Sequence, residues 1–475
     1  MRDKIITFEP GSFEPSRHFY PRAQNAMLHP TVRAFFRLGN ERIAKRYVHL
    51  HPEVSPEAVK SALNYTPQHF RWAGADLLHV TTARGQRRVV LLETNSSPSG
   101  QKSMPLLDDA SEAGGYERLL RDSFLPALRR RGIPEGGLAV LYDKNEMEAS
   151  GYAACLADLT GEPVHLVPCF DGERAFHRMN EGVLEVDLEG SFIPIRGALR
   201  YVTQRPWNRL PALSRSLIYN PILACLAGGR NKALAARAYE LFNGENARNG
   251  VHIHTPRTYW DVSRDEIPLW IAHLGGFGVI KVPYSNAGQG VYTITRESEL
   301  EEFMSTVQGY DRFIVQALIG NSSWSSETHG SRFFHVGTVP DKRGDIHVAD
   351  LRFMVGGGPN GFFPVAVYAR RARLPLAEDI ESAPDSWSML GTNLSIRREG
   401  GWDSDTDRLL LMDTRDFGRL GLGLDDFIEA YLQTTFSVIA IDRMAERLLT
   451  KKGKFRRRFF ASMAPDEALQ REILG

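Results

Sequence analysis

The run Leu91-Leu92-Glu93-Thr94-Asn95-Ser96-Ser97-Pro98 constrains this chain more than any other stretch. An apolar strand, Val89 to Leu92, delivers a carboxylate and, two residues on, an amide oxygen. Side chains alternate along a strand, so Glu93 and Asn95 share one face. Two hard oxygen donors followed by a Ser-Ser-Pro turn suit a magnesium ion carrying triphosphate oxygens. A second carboxylate, Asp76, sits on the preceding apolar run Ala75 to Leu78. Thr81 to Arg88 reads as the hairpin joining the two strands, with Gly85 in its turn. A lone acid on a strand is usually just solvated; the set Asp76, Glu93 and Asn95 is the candidate metal site.

A chain of 475 residues predicts two to four domains. With 42% hydrophobic and 24% charged residues, it has material for a large core rather than disorder. A formal net charge of +1 gives no electrostatic case for nucleic-acid binding. The basic run Lys451 to Arg458 reads as a solvated helix end or a flank for acidic ligands. Cys155, Cys169 and Cys225 are far apart and odd in number, which argues against a disulfide framework or zinc site and fits a reducing cytoplasm. No stretch approaches the ~20 apolar residues that cross a bilayer, so no membrane partner is expected.

Four segments emerge. Residues 1–125 open irregularly, then carry a helix over 56–63 capped by Ser55, the Asp76 and Glu93 strands, and a helix over 108–121. Residues 126–220 hold a strand at 138–142, a helix at 149–159 and a strand at 164–167, a βαβ unit that implies a parallel sheet. Residues 221–320 start with a helix holding Lys232, then short strands at 279–283, 291–294 and 312–316 and a helix over 299–306 capped by Ser298. Residues 321–475 give antiparallel strands at 333–339, 347–355 and 363–368, and a long amphipathic helix over 425–449.

Lys281 lies on an apolar strand and precedes Ser285-Asn286-Ala287-Gly288-Gln289-Gly290. A buried lysine needs an anionic partner, and small residues let backbone N–H groups approach phosphate oxygens. The spacing fits neither the P-loop nor the dinucleotide-binding template; a plain hairpin is the other reading. Arg352 shares a strand face with Asp350, and Arg370 ends a later strand. These guanidiniums could clamp a carboxylate or phosphoryl group, or simply pair with nearby acids.

Together these pieces resemble the ATP-grasp superfamily of carboxylate–amine ligases. Lys232 matches the family's helical lysine and Pro256-Arg257-Thr258 its Pro-x-Thr. Lys281 with Gly288, Gln289 and Gly290 matches the strand lysine and loop. Asp350 and Arg352 match Asp-Leu-Arg, and Arg370 and Asn393 match the later pair. Gly74 to Leu78 and Glu93 to Pro98 match the last two motifs, yet here they come first. The chain therefore resembles a circularly permuted member, with residues 126–220 similar to the small α/β domain that precedes the family's core. The family's ribose-holding acid, expected just after Gln316, is absent from Val315 to Ile319, with Glu327 the nearest stand-in.

The resemblance implies a mixed α+β and α/β fold, in which two α+β lobes sandwich ATP. It implies Mg2+ (Mn2+ as a substitute) on Asp76, Glu93 and Asn95. Lys232 and Lys281 would meet the phosphates, and the backbone of Gln316, Ala317 and Leu318 the adenine. Arg352, Arg370 and Asn393 would be catalytic. The implied reaction joins a small carboxylate to an amine through an acylphosphate, in a chain that is cytoplasmic and homodimeric. The rival expectations are a non-catalytic, regulatory ATP-binding protein and a small-molecule kinase of the same fold.

Overall fold

A computed structural model describes residues 4–107, 111–203, 206–284, 290–306, 309–328, 330–383, 385–398 and 401–474. Gly288 and Gln289, and the start of the helix expected over 108–121, lie outside these residues. The class is mixed: two seven-stranded sheets, a four-stranded one and a two-stranded one among the described residues, with helices between and around them.

Strand β1 (Ile6–Phe8) is followed by a helix over Pro30–Leu50, in a region expected to be irregular. Its signals are local: Pro30 at the first helical position and the His29 ring accepting from Thr31 N–H. Gly39, at φ 73°, interrupts its interior, which is why no clean helical period is legible there. The short helix Pro56–Leu63 starts as expected, with Ser55 Oγ accepting from Ala58 N–H. Next comes the hairpin β2 (Trp72–Thr82) and β3 (Arg87–Ser96), closed by Gly85 at φ 73°. The chain then turns helical from Gly114 to Leu128, with a π-helical stretch at 120–124.

The next unit contains β4 (Gly137–Tyr142), a helix Glu146–Thr160, β5 (Val164–Pro168), β6 (His177–Asn180), β7 (Val183–Leu188), β8 (Ser191–Tyr201) and β9 (Leu217–Tyr219). They form one sheet, ordered β1-β5-β4-β8-β7-β6, with β9 on β8. The pairs β4–β5, β4–β8 and β8–β9 are parallel, as strands buried under helices on a βαβ path should be. Strand β1, from the far N-terminus, closes the β5 edge in antiparallel register.

After the helix Lys232–Asn246 come β10 (Thr258–Ser263), β11 (Gly278–Lys281), β12 (Val291–Ile294) and β13 (Arg312–Gln316), an antiparallel sheet ordered β10-β13-β11-β12 with its own apolar core. The helix expected over 299–306 runs Glu297–Ser305 with Arg296, not Ser298, at its cap position. Glu299 reaches back to accept from Thr295 N–H and Oγ1, so the turn starts earlier than the serine suggests.

Strands β14 (Glu327–Thr328), β15 (Ser331–His335), β16 (Ala349–Gly358) and β17 (Gly361–Arg371) complete the other large sheet. Its order is β14-β15-β2-β16-β17 and then the short strand Leu409–Leu410, with β3 on the free side of β2. Strands from the start of the chain thus sit beside strands from its last third. The helix Leu424–Arg447 backs this sheet, packing on β3, β16 and the 232–246 helix, and its residues are buried almost all round.

Candidate active-site cleft

Register builds the first wall. Across β3, β2, β16 and β17, Glu93 pairs with Asp76, Asp76 with Arg352, and Arg352 with Tyr368. Four side chains from four strands thereby form one rung on one sheet. A bulge at Leu92 shifts the β2–β3 register, so both Leu92 and Glu93 border the cleft. Gly74 makes room for the rung. A Cβ there would lie 2.6 Å from Pro98 Cβ and 3.1 Å from Arg352 Cδ.

The rung is held by reciprocal ion pairs. Arg352 grips Asp76 with Nε and Nη2, the latter at 2.7 Å, and Arg370 Nη2 reaches the same carboxylate at 3.1 Å. Arg370 also grips Asp350 with Nε (3.0 Å) and Nη2. Nη1 of Arg352 and of Arg370 makes no hydrogen bond among the described residues. Three of the roughly four lone-pair sites on Asp76 are engaged, so it has room for a single further contact.

Glu93 Oε1 accepts from Asn95 Nδ2 at 2.8 Å, and its Oε2 lies 3.5 Å from Lys232 Nζ. Burial works against its charge, but Lys232, the Asn95 amide, Lys281 and Arg352 outweigh it and hold Glu93 well below the usual carboxylate range. Asn95 Oδ1 accepts from Arg230 Nη1 at 2.9 Å, and Arg230 Nη2 donates to Ser96 O at 2.7 Å. The Ser-Ser-Pro turn is gripped from behind by the buried Arg200, whose Nη2 donates to Ser96 Oγ and Ser97 Oγ. The serines therefore orient the strand end rather than face the cleft.

The small sheet supplies the second wall. Lys281 Nζ donates to Gln316 Oε1 at 2.6 Å, and Gln316 Nε2 donates to Thr258 Oγ1 at 2.8 Å. Burial presses Lys281 down to about 8, against the pull of Glu93. Gly290, at φ 68°, returns the chain to β11, where its carbonyl accepts from Val282 N–H. Lys232 N–H donates to Pro283 O, which ties the helix start to the same strand end.

Between the walls lies a cavity of about 720 Å³. Glu93, Asn95, Lys232, Lys281 and Gln316 line it, together with Arg230 and the aromatic residues Tyr239 and Trp260. Residues from the chain's beginning and its middle thus meet around one space. Asp76, Arg352 and Arg370 adjoin it through the rung. Ala317 and Leu318 do not line it, and their N–H groups are taken by Arg257 O and Ser326 Oγ. Asn393 does not line it; its carbonyl accepts from Nη2 of Arg408, which also donates from Nη1 to the carbonyl of Arg371. Glu327 is exposed on β14 and absent from the lining. Arg230 was missed from the sequence, although its place beside Asn231 and Lys232 at a helix start is a basic signal.

Among the described residues, no three His, Cys, Asp or Glu side chains converge on a metal position. Two cross-strand carboxylates and one amide oxygen do fit a hard cation that takes its remaining ligands from phosphate and water. Also among the described residues, no helix is long and apolar enough to cross a membrane.

No family model matches the chain, and no curated protein does. Among solved structures it is similar to a RimK-domain ATP-grasp protein from Sphaerobacter thermophilus, at 17% identity over 49% of this chain and 90% of that one, with a TM-score of 0.30. A glutathione synthetase-like effector from Globodera pallida matches at 10% identity over 72% and 81%, TM-score 0.38. D-alanyl-alanine synthetase A from Vibrio cholerae matches at 11% over 49% and 88%, TM-score 0.31. In fold, then, the chain is similar to solved ATP-grasp proteins, at scores too low to carry any claim about its reaction.

Proposed function

We propose that this protein is an ATP- and Mg2+-dependent carboxylate–amine ligase of circularly permuted ATP-grasp type. One observation carries the reading: the Glu93–Asp76–Arg352 rung faces Lys232 and Lys281 across a nucleotide-sized cleft. Acids on one wall and, on the other, a buried lysine resting on a neutral amide are what a cation–triphosphate pair requires.

In this reading Lys232 and Lys281 bind the phosphates, and Gln316 holds Lys281 in place. Magnesium on Glu93, Asn95 and the remaining lone pair of Asp76 would neutralise charge building on the transferred phosphoryl group. The Nη1 groups of Arg352 and Arg370 orient the acceptor carboxylate toward the γ-phosphorus. Its oxygen attacks, ADP leaves, and the amine then displaces phosphate from the acylphosphate to form the amide. Catalysis is positioning and charge stabilisation, with no protein nucleophile.

The test uses carboxylates labelled with 18O, together with ATP, Mg2+ and hydroxylamine as a general amine. A ligase gives hydroxamate, ADP and phosphate carrying the label. Phosphoester without label transfer would assign a kinase instead. ADP binding with no turnover on any acceptor would assign a non-catalytic nucleotide sensor.

A further inference from the structure

Beyond the rung lies a cation that the reading above does not use. Lys144 follows β4, at the C-terminal edge of the parallel sheet, where open α/β sheets bind ligands. Its ammonium lies 6.0 Å from the Tyr201 ring centre and makes no hydrogen bond or ion pair among the described residues. The two acids whose charge acts on it, Asp143 and Glu148, are committed elsewhere. Asp143 accepts from Thr203 N–H and from Arg209 Nη2 at 2.9 Å. Glu148 accepts from the N–H groups of Gly100 and Gln101 and from Ser99 Oγ.

A chain of contacts joins Lys144 to the rung. Its neighbour Asn145 has a positive φ of 48° and donates from Nδ2 to Ser99 Oγ (2.9 Å) and Tyr201 Oη (3.3 Å). Tyr368 Oη, at the rung's end, donates to Ser99 O at 3.0 Å. Burial, then Arg230, lowers Lys144 to about 7; Arg352 lowers it further, while Asp143 and Glu148 oppose. Cations thus gather here faster than acids neutralise them. Asp76 and Asp350 answer Arg352 and Arg370, and Glu93 answers Lys232. Lys144 has no such answer.

We propose that Lys144 binds a second anionic group on the acceptor, so that the substrate is a dianion: one carboxylate at Arg352 and Arg370, and a further carboxylate or phosphate at Lys144. This rests on the ligase reading for the first carboxylate alone. A half-buried lysine beside further positive charge gains most from a partner that brings negative charge.

The experiment is calorimetric, on the full chain with ADP and Mg2+ present. The probes are glutarate, 4-phosphonobutyrate and butyrate, against wild type, Lys144→Met and Lys144→Glu. The expected result is dianion binding about tenfold or more tighter than butyrate. Lys144→Met should erase that preference, and Lys144→Glu reverse it, while ADP and butyrate affinities stay unchanged and show the fold intact. A stronger preference for the phosphonate assigns a phosphate, and the reverse a carboxylate. Equal affinity for glutarate, 4-phosphonobutyrate and butyrate, no dianion binding, or a preference that survives Lys144→Met overturns the proposal. Hydroxamate formation is read separately. Its absence alongside Lys144-dependent dianion binding would sink the ligase reading and leave this subsite standing.

Discussion

The two walls of the cleft solve the same problem in opposite ways. On the large sheet, charge answers charge: Asp76 lies between Arg352 and Arg370, and Arg370 between Asp76 and Asp350. On the small sheet, a buried lysine rests on a neutral amide, Gln316. The first wall is complete as it stands; the second gains when an anion arrives. A site built this way fixes its geometry on one side and draws ligand from the other.

The largest effect should come from breaking the complete wall. Arg352→Met leaves Asp76 buried with Arg370 as its one remaining guanidinium, and such breaks cost about 3–5 kcal/mol. Urea unfolding should show that loss, and Asp76→Asn in the Arg352→Met background should restore part of it. A near-neutral single variant would mean the rung is solvated rather than closed. Next, Glu93→Gln keeps shape but removes the charge facing Lys232. ATP turnover should fall about 10²–10³-fold, the scale of losing one dedicated electrostatic group, while circular dichroism stays unchanged. Full activity in that variant would remove Glu93 from the cation site.

The second wall should respond the other way. Lys281→Met should weaken ADP binding about tenfold, one charge-assisted contact, yet hold or raise stability at pH 7. A clear loss of stability would show that Lys281 is already satisfied and that the contrast between the walls is false.

What the sequence disclosed follows the same division. Period-two alternation put Glu93 and Asn95 on one face, and β3 keeps them there. The long helix near the C-terminus and the βαβ unit were legible because buried runs have a period. The rung itself was not: pairing Asp76 with both Glu93 and Arg352 needs the register of strands 276 residues apart, and one-residue slips invert a face. The bulge at Leu92 leaves no mark in composition. The Ser-Ser-Pro turn was legible, but not that Arg200 holds Ser96 and Ser97 from behind. Ala317 and Leu318 were placed at the adenine by resemblance; in the structure their N–H groups donate to Arg257 O and Ser326 Oγ.

The smallest effect is also the most specific to the open wall. Lys281 in the folded chain titrates near 8, below its ordinary 10.5. Between those values the unfolded chain holds more protons, so stability rises with pH across that window. Glu93 behaves oppositely: its folded-state value lies below 4.5, so its stabilisation is in place above pH 4.5 and is lost as pH falls through the lower value. A phosphate beside Lys281 favours the charged amine and pushes its titration back up. At pH 8 the free protein is about half protonated there, so ADP binding should take up on the order of half a proton, and almost none at pH 6. Calorimetry in two buffers of different ionisation enthalpy measures that uptake. It should vanish in Lys281→Met. Uptake that persists in that variant would assign the proton to another group and leave Lys281 a bystander on the second wall.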